Sequence, residues 1–304
     1  MQDPAEIEDE SSLQDREAGE TNAVGRRGMG VDRDITYEDV TQSVVDLLLR
    51  AETRLPDDVT AALTDARGRE TDPTARAQIE AILENIELAA TRKVPICQDT
   101  GILIFFVEIG RDCTIDFDIK DAIRAGVKKA TEIVPLRPNA VHPITREPSG
   151  NVGIGLPDII LDINEGDRIR ITVMPKGAGS ENVSRLAMLN PSQVADIKRF
   201  VLEAVADAGG KPCPPVIVGV GIGGSFDKAA RLAKKALLRE ICDMDDFERE
   251  LLDAINSLGI GTMGLGGDIT ALAVHIEYAH CHTASLPVAV NIQCWANRRA
   301  SVEL

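Results

Sequence analysis

The first part of the chain carries apolar residues at the spacing of amphipathic helices. After Thr36, a residue type that favours helix N-termini, apolar side chains recur three and four positions apart as far as Leu48. A second helical pattern covers 56–66. A third covers 72–90 and begins with Asp72-Pro73, a capping residue followed by proline at the first helical position. The pattern therefore predicts an N-terminal helical region.

Short apolar runs and further helical patterns share the rest of the chain. The apolar runs predict strands at 102–107, 158–163, 168–174, 216–220, 269–276 and 287–292. Helices are predicted at 120–134, 191–208, 226–239 and 245–258. The four residues 164–167 are typical of a turn that joins the strands on either side. Because the order of elements is mixed, we expect an α+β fold in which helices flank mixed β-sheets.

Residues 1–34 differ in composition from everything that follows. They are acidic, rich in Ser, Gly and Gln, and show no sustained apolar period. A segment of this kind cannot bury enough apolar surface to offset the entropy of ordering. We therefore predict a disordered acidic tail over 1–34 and a catalytic domain over 35–304.

Charge and hydropathy narrow the classes of partner. The net charge of −16 repels nucleic acid and anionic lipid. It also repels a small dicarboxylate, so a site for one needs local cations. No apolar run approaches the roughly 20 residues of a membrane span, and the N-terminus lacks the basic and apolar regions of a signal peptide. We expect a cytoplasmic protein that binds neither nucleic acid nor membrane.

Three of the six cysteines stand where a ligand is expected. Cys97, Cys213 and Cys294 each lie at the edge of a predicted strand, next to proline or polar residues. No two cysteines form the close pair that is typical of zinc sites. Three thiolates without a fourth indicate an iron-sulfur cluster with one iron left open, whereas an electron-transfer cluster normally has a complete protein ligand set. An open iron can act as a Lewis acid.

Other polar features admit simpler interpretations. The glycines of 219–224 imitate a dinucleotide-binding loop, but their spacing is wrong, and a tight turn is the simpler interpretation. The segment 259–267 is likewise a turn in which backbones approach closely. His282 precedes the last strand, and we expect it to return near Cys294, where it could shuttle a proton. Arg137 is either a carboxylate clamp or an ordinary surface residue.

Seven ordered segments together resemble one family. They are P-I-C-Q-D-T-G at 95–101, L-R-P-N-A-V at 136–141, P-K-G-A-G-S-E-N at 175–182, C-P-P at 213–215, G-I-G-G-S-F-D-K-A-A at 221–230, G-L-G-G-D-I-T-A-L-A-V at 264–274 and C-H-T-A-S-L-P-V-A-V at 281–290. This set is similar to the iron-sulfur hydro-lyases, class I fumarate hydratase and L-tartrate dehydratase of the α-subunit type. The resemblance covers about 34–299.

The resemblance implies a cofactor and a set of site residues. An open [4Fe-4S] cluster would be held by the three cysteines at 97, 213 and 294. A small dicarboxylate would be bound by Gln98, Arg137 and the loop at Gly179. Asp99 and His282 would be the catalytic residues, with Asp99 as the proton donor. A departure is Ala178, where the family often has another glycine.

The resemblance also implies a partner. Single-chain members continue into a second domain that supplies further cations and the probable base, whereas this chain ends at Leu304. We therefore expect the α subunit of a two-chain enzyme, with the site completed by a separate β subunit in a hetero-oligomer. The expected reaction is the reversible hydration of fumarate to L-malate. Dehydration of L-tartrate to oxaloacetate is the alternative.

Overall fold

The computed structural model describes residues 35–304, and the tail predicted over 1–34 lies outside the described residues. The helices are α1 (Tyr37–Thr53), α2 (Asp57–Arg69), α3 (Pro73–Arg92), α4 (Ile119–Ile133), α5 (Ala178–Glu181), α6 (Ile197–Ala208), α7 (Phe226–Ala236) and α8 (Asp246–Asn256). The strands are β1 (Ile102–Gly110), β2 (Ala140–Val141), β3 (Pro148–Gly150), β4 (Asp158–Asn164), β5 (Ile169–Lys176), β6 (Arg185–Leu189), β7 (Val216–Gly223), β8 (Ala271–Ala279), β9 (Leu286–Gln293) and β10 (Ala300–Glu303).

The N-terminal helices form as their caps predict. The Thr36 side chain accepts from the Asp39 N–H, and the Asp39 carboxylate accepts from the Thr36 N–H, so α1 begins with a reciprocal capping box. Asp72 accepts from two amides of α3, with Pro73 at the first helical position. The α+β prediction with an N-terminal helical region is confirmed.

Two four-stranded sheets carry the fold. The first has the order β10-β5-β1-β4, and the second has the order β6-β9-β7-β8. Helices α1 and α4 pack against one face of the first sheet. The opposite face joins α2, α3 and residues of the second sheet in a separate core. On the second sheet, α6 and α8 complete a third core. Mixed parallel and antiparallel pairing occurs in both sheets.

The turn at 164–167 joins β4 to β5 as predicted, but the two strands are not neighbours in the sheet, because β1 lies between them and pairs with both. The apolar β1 is buried best between two partners. The turn also wraps the end of β1, where a Cβ on Gly110 would come within 2.4 Å of the Gly166 oxygen.

The structure also contains short strands that the sequence pattern did not predict. Strands β6 and β10 are short; the exposed positions are Arg185 and Met188 in β6, and Ser301 and Glu303 in β10. The segment around Gly179, which was expected to be a loop, is a short helix, because β5 continues to Lys176 and α5 follows at once. The predicted helix 191–208 begins as a 3-10 turn over Pro191–Asp196 before α6. No helix within 35–304 is long and apolar enough to cross a membrane.

Candidate active site

The three candidate ligand cysteines come from three separate segments. Cys97 lies between α3 and β1, Cys213 precedes β7, and Cys294 follows β9. Strands β7 and β9 are antiparallel neighbours, and the start of one pairs with the end of the other. Cys213 and Cys294 therefore reach the same end of the second sheet. The N–H of Trp295 donates to the carbonyl of Cys213 at 3.5 Å, which joins the two segments.

Hydrogen bonds hold the Cys97 segment in place. The N–H of Ile96 donates to the Glu52 carbonyl of α1 at 2.8 Å. The Asn85 side chain of α3 donates to the carbonyl of Ile96 at 2.9 Å. On the other side of the cysteine, the Arg298 guanidinium donates to the carbonyl of Asp99 at 2.8 Å. The segments of Cys97 and Cys294 are thus connected through a buried arginine.

The three thiols share one electrostatic environment. Burial raises the pKa of the Cys213 thiol, and a negative charge on Cys97 adds to the rise. Burial also raises the pKa of the Cys294 thiol, whereas Arg298 and Lys176 act in the opposite direction. Cys97 contributes there too.

This donor set fits a cluster better than a single ion. Within 35–304, no three His, Cys, Asp or Glu side chains are grouped closely enough to hold one metal ion. The ligands of a cubane lie farther apart, since each thiolate holds a different iron. The remaining cysteines lie elsewhere. Cys113 follows the end of β1, whereas Cys97 precedes its start, and Cys281 precedes the start of β9, whereas Cys294 follows its end. Cys242 is exposed between α7 and α8. Three thiols therefore remain for the site.

A buried ion pair lies beside the cysteines. The Arg298 side chain is 1% exposed and donates to the Glu52 carboxylate at 2.6 Å. Burial raises the pKa of Glu52 to about 7, although Arg298 opposes the rise. A carboxyl with this pKa carries less than a full charge near neutrality. The Arg298 guanidinium also acts to lower the pKa of the Cys294 thiol, which favours the thiolate.

Lys176 is a second buried cation at the site. It is 2% exposed, and its Nζ donates to Ser180 Oγ and to the carbonyl of Ile292, each at 2.7 Å. Its Nζ also lies 3.5 Å from Glu181 Oε2. Burial lowers the pKa of Lys176 to about 8, although Glu181 and Cys294 oppose the change. These bonds tie the loop after β5 to the end of β9, two residues before Cys294.

A cleft of about 480 Å³ opens between these segments. Its walls are formed by Asp99, Gly101, Ile102, Ile104, Asn139, Gly155, Leu156, Asp158, Lys176, Ala178, Glu181, Asn182 and Lys234. One oxygen of the Asp99 carboxylate accepts from the N–H of Gly101 at 3.0 Å, and the other accepts from Ala178 at 2.8 Å. The loop that contains Arg137 is attached through Thr100, whose hydroxyl accepts from the Arg137 N–H at 3.0 Å.

None of the three predicted binding residues lines the cleft itself, but each lies within two positions of a residue that does. Gln98 is exposed beside Asp99. Arg137 is exposed, and its guanidinium forms no ion pair with any residue of the described chain. Gly179 is exposed in α5, where an added Cβ would lie 3.4 Å from the Lys211 carbonyl. The loops after β5 and before β7 therefore lie side by side.

His282, the second predicted catalytic residue, does not lie near Cys294. It lies before the start of β9, whereas Cys294 follows its end, and eight residues of strand separate the two by roughly 26 Å. The His282 Nδ1 accepts from the N–H of Ala284 at 3.1 Å within its own turn. The expectation that His282 returns near Cys294 of the same chain is wrong, because β9 is extended rather than folded back.

Sequence reasoning did not single out the buried charged residues. Lys176 lies within the segment P-K-G-A-G-S-E-N at 175–182, but its sequence context does not indicate a role. Glu52 lies on the apolar face of α1, four positions after Leu48, and a carboxylate there is a signal for a buried partner. Nothing local distinguishes Arg298, whose partners come from 246 and 199 residues earlier.

The chain is similar in sequence to known proteins over most of its length. The sequence model of a family described as "Fumarate hydratase (Fumerase)" matches residues 41–303. The putative L(+)-tartrate dehydratase subunit alpha of Methanocaldococcus jannaschii is 54% identical over 273 residues, which cover 86% of this chain and 96% of that protein. The L(+)-tartrate dehydratase subunit alpha of Escherichia coli K12 is 34% identical over 272 residues, covering 86% and 90% of the two chains. The chain therefore belongs to the fumarate hydratase family of hydro-lyases.

Proposed function

We propose that this chain is the α subunit of a [4Fe-4S] hydro-lyase that hydrates fumarate to L-malate and catalyses the reverse reaction. The observation that carries the proposal is that Cys213 and Cys294 reach the same end of the second sheet, while Arg298 connects the segment of Cys294 to that of Cys97, next to a cleft that Asp99 and Lys176 line. When bound there, a cluster with one iron free of protein ligands would supply a Lewis acid for the departing hydroxyl.

Residues of this chain would stabilise the thiolates, bind the substrate and donate the proton. Lys176 and Arg298 place two buried positive charges near Cys294, which favours the ionised thiolate that binds iron. Arg137 and Gln98 are exposed near the cleft and would bind the substrate carboxylates. Asp99 is the candidate general acid that donates a proton to the departing hydroxyl group. Each of its carboxylate oxygens accepts one backbone N–H and keeps a second lone pair.

The cleft of this chain is short of positive charge. Asp99, Asp158 and Glu181 line it against only Lys176 and Lys234. Lys234 and Lys176 are both paired with Glu181, and together they hold the pKa of that carboxyl down against the effect of burial. A dianionic substrate needs further cations. We propose that a separate β subunit supplies them, together with the base that removes the C3 proton.

A second substrate has its own support. The relatives from M. jannaschii and E. coli carry the name L(+)-tartrate dehydratase subunit alpha, and the first of them is 54% identical to this chain. L-Tartrate and L-malate differ by one hydroxyl, and a cleft of about 480 Å³ accommodates either. L-Tartrate dehydration is therefore the alternative, and it would use the same residues of this chain.

The test is anaerobic reconstitution of the chain with its partner subunit. We expect about four irons per α chain, followed by turnover of fumarate and L-malate. Turnover of L-tartrate instead would replace the substrate and keep the class of reaction. An α chain that binds no iron would overturn the proposal.

Serine variants show whether the iron depends on the proposed ligands. Cys97→Ser, Cys213→Ser and Cys294→Ser should each lose most of the iron, because serine is a poor ligand for iron in a cluster. Cys242→Ser is the matched control, since Cys242 is exposed away from the site. Equal iron loss in the control would contradict the assignment.

A further inference from the structure

The glycine-rich segment 259–267, here called the glycine loop, has no role in the proposed chemistry, yet it touches the loop that carries Cys213. Gly264 and Gly210 meet backbone to backbone. A Cβ on Gly264 would lie 2.6 Å from the Gly210 Cα, a distance at which the backbone must move. The glycine loop therefore packs against the chain three residues before the cysteine.

The glycine loop also holds the other side of the cysteine. The N–H of Met263 donates to the carbonyl of Pro214 at 2.8 Å, immediately after Cys213. Cys213 itself has a φ of 55°, in the left-handed region that non-glycine residues seldom adopt. Such a conformation persists when the surroundings over-determine it, and it is common at functional sites. The glycine loop provides those surroundings on both flanks.

The glycine loop has its shape because it closes on itself. Gly261 has a φ of +67°, and a Cβ there would lie 1.7 Å from the Gly266 carbonyl oxygen. The N–H of Gly266 donates to the carbonyl of Ile260 at 2.9 Å. Only glycine permits this approach of two backbones. The contact at Gly264 is thus presented by a narrow, internally bonded turn.

A buried carboxylate fixes the far side of the glycine loop. Glu70, at the end of α2, is fully buried. Its carboxylate accepts from the N–H groups of Asp72, Asp268 and Ile269 at 2.9 to 3.1 Å. A Cβ on Gly267 would lie 2.8 Å from Glu70 Oε2. The carboxylate therefore joins α2 to the end of the glycine loop.

We propose that the glycine loop and Glu70 are positioning elements that hold Cys213 in the conformation required of a cluster ligand. The inference rests on the proposed function for the identity of the ligand, but the geometry of Cys213 can be tested without iron. It gives a role to G-L-G-G-D, a motif whose residues do not line the cleft.

The experiment compares glycine-to-alanine variants of the full chain. In Gly264→Ala the new methyl group would collide with Gly210, whereas in Gly266→Ala it would meet nothing within 4 Å. Both positions have positive φ, +76° and +90°, so the two variants share the same kind of backbone strain. Gly210→Ala adds a methyl group to the same contact from the opposite side, where its Cβ would lie 3.1 Å from the Gly264 Cα. Gly210 does not have a positive φ, so this variant lacks that backbone strain.

Two readouts are taken, namely the iron content after anaerobic reconstitution and the alkylation rate of each cysteine in the iron-free chain, followed by mass spectrometry. We expect Gly264→Ala to lose most of its iron and to change the alkylation rate of Cys213 by about threefold or more. Gly210→Ala should show a smaller change of the same kind. Gly266→Ala shares the backbone strain but lacks the collision with Gly210, so it should stay much closer to the wild type than Gly264→Ala in both readouts, and Cys242 should react at the same rate throughout.

The outcomes separate the positioning role from the function. If Gly264→Ala and Gly266→Ala behave alike in both readouts, the positioning role is overturned and the proposed function stands. If the wild type binds no iron, the proposed function fails, and alkylation of Cys213 still decides the positioning role. If Gly264→Ala does not fold, Gly210→Ala decides, and wild-type behaviour of that variant overturns the proposal.

Discussion

His275 should make the protein lose stability on mild acidification. It is fully buried in β8, and neither ring nitrogen has a hydrogen-bond partner in the described chain. Burial lowers the pKa of His275 from 6.5 to about 4, and Arg239 adds to the effect. Glu248 and Asp243 oppose it. The folded protein therefore keeps the ring neutral at a pH at which the unfolded chain protonates it.

The sign and size follow from proton linkage. Above pH 6.5 the ring is neutral in both states and has no effect. Between pH 6.5 and 4 only the unfolded state takes up the proton, so the free energy of unfolding falls by about 1.4 kcal/mol per pH unit. At pH 5 the loss is about 2 kcal/mol, and it approaches about 3 kcal/mol at pH 4.

Urea unfolding at pH 7 and pH 5 measures this loss, with the fluorescence of Trp295 as the signal, because it is the single tryptophan of the chain. His275→Leu should remove about 2 kcal/mol of the pH dependence, and because the ring makes no hydrogen bond, it should cost little at pH 7. The control is His280→Leu, at an exposed position of the same segment. If His275→Leu loses as much stability at pH 5 as the wild type, the argument is refuted.

Three further outcomes test the residues around the cysteines. Arg298→Met should lower the free energy of unfolding by about 3–5 kcal/mol, because it leaves the buried Glu52 carboxyl without its partner. Glu52→Gln in that background should recover part of the loss, whereas strict additivity in urea unfolding would exclude the coupling. Lys176→Met removes a charge that lowers the pKa of Cys294, so the iron-free chain should be alkylated more slowly at Cys294 at pH 8; an unchanged rate would leave Lys176 a purely structural role. Asp99→Asn should keep its iron and lower turnover by about 10²–10⁴-fold in a steady-state assay, and a normal rate would remove Asp99 as the acid.

The predictions that depend on local pattern are the ones that the structure confirms. The helices after Thr36 and Asp72 begin at their predicted caps, since a cap is a contact between neighbours in sequence. Apolar runs located the long strands for the same reason. The turn between β4 and β5 was predicted in the same way, whereas the local pattern did not indicate that β1 lies between the two strands, because that insertion is decided by residues about 60 positions away.

In the candidate site, too, some features follow from the sequence and others only from the tertiary structure. The motifs of the sequence, and the resemblance they carry, determined the family and the candidate cysteines, because ligand chemistry resides in residue identity. Only the tertiary structure decided which strand ends meet. It brought Cys213 beside Cys294, placed His282 at the other end of β9, and recruited Arg298 and Glu70 through partners nearly 200 residues away in the chain. These contacts depend on how three cores pack together, and that packing leaves no periodic signal in any one segment.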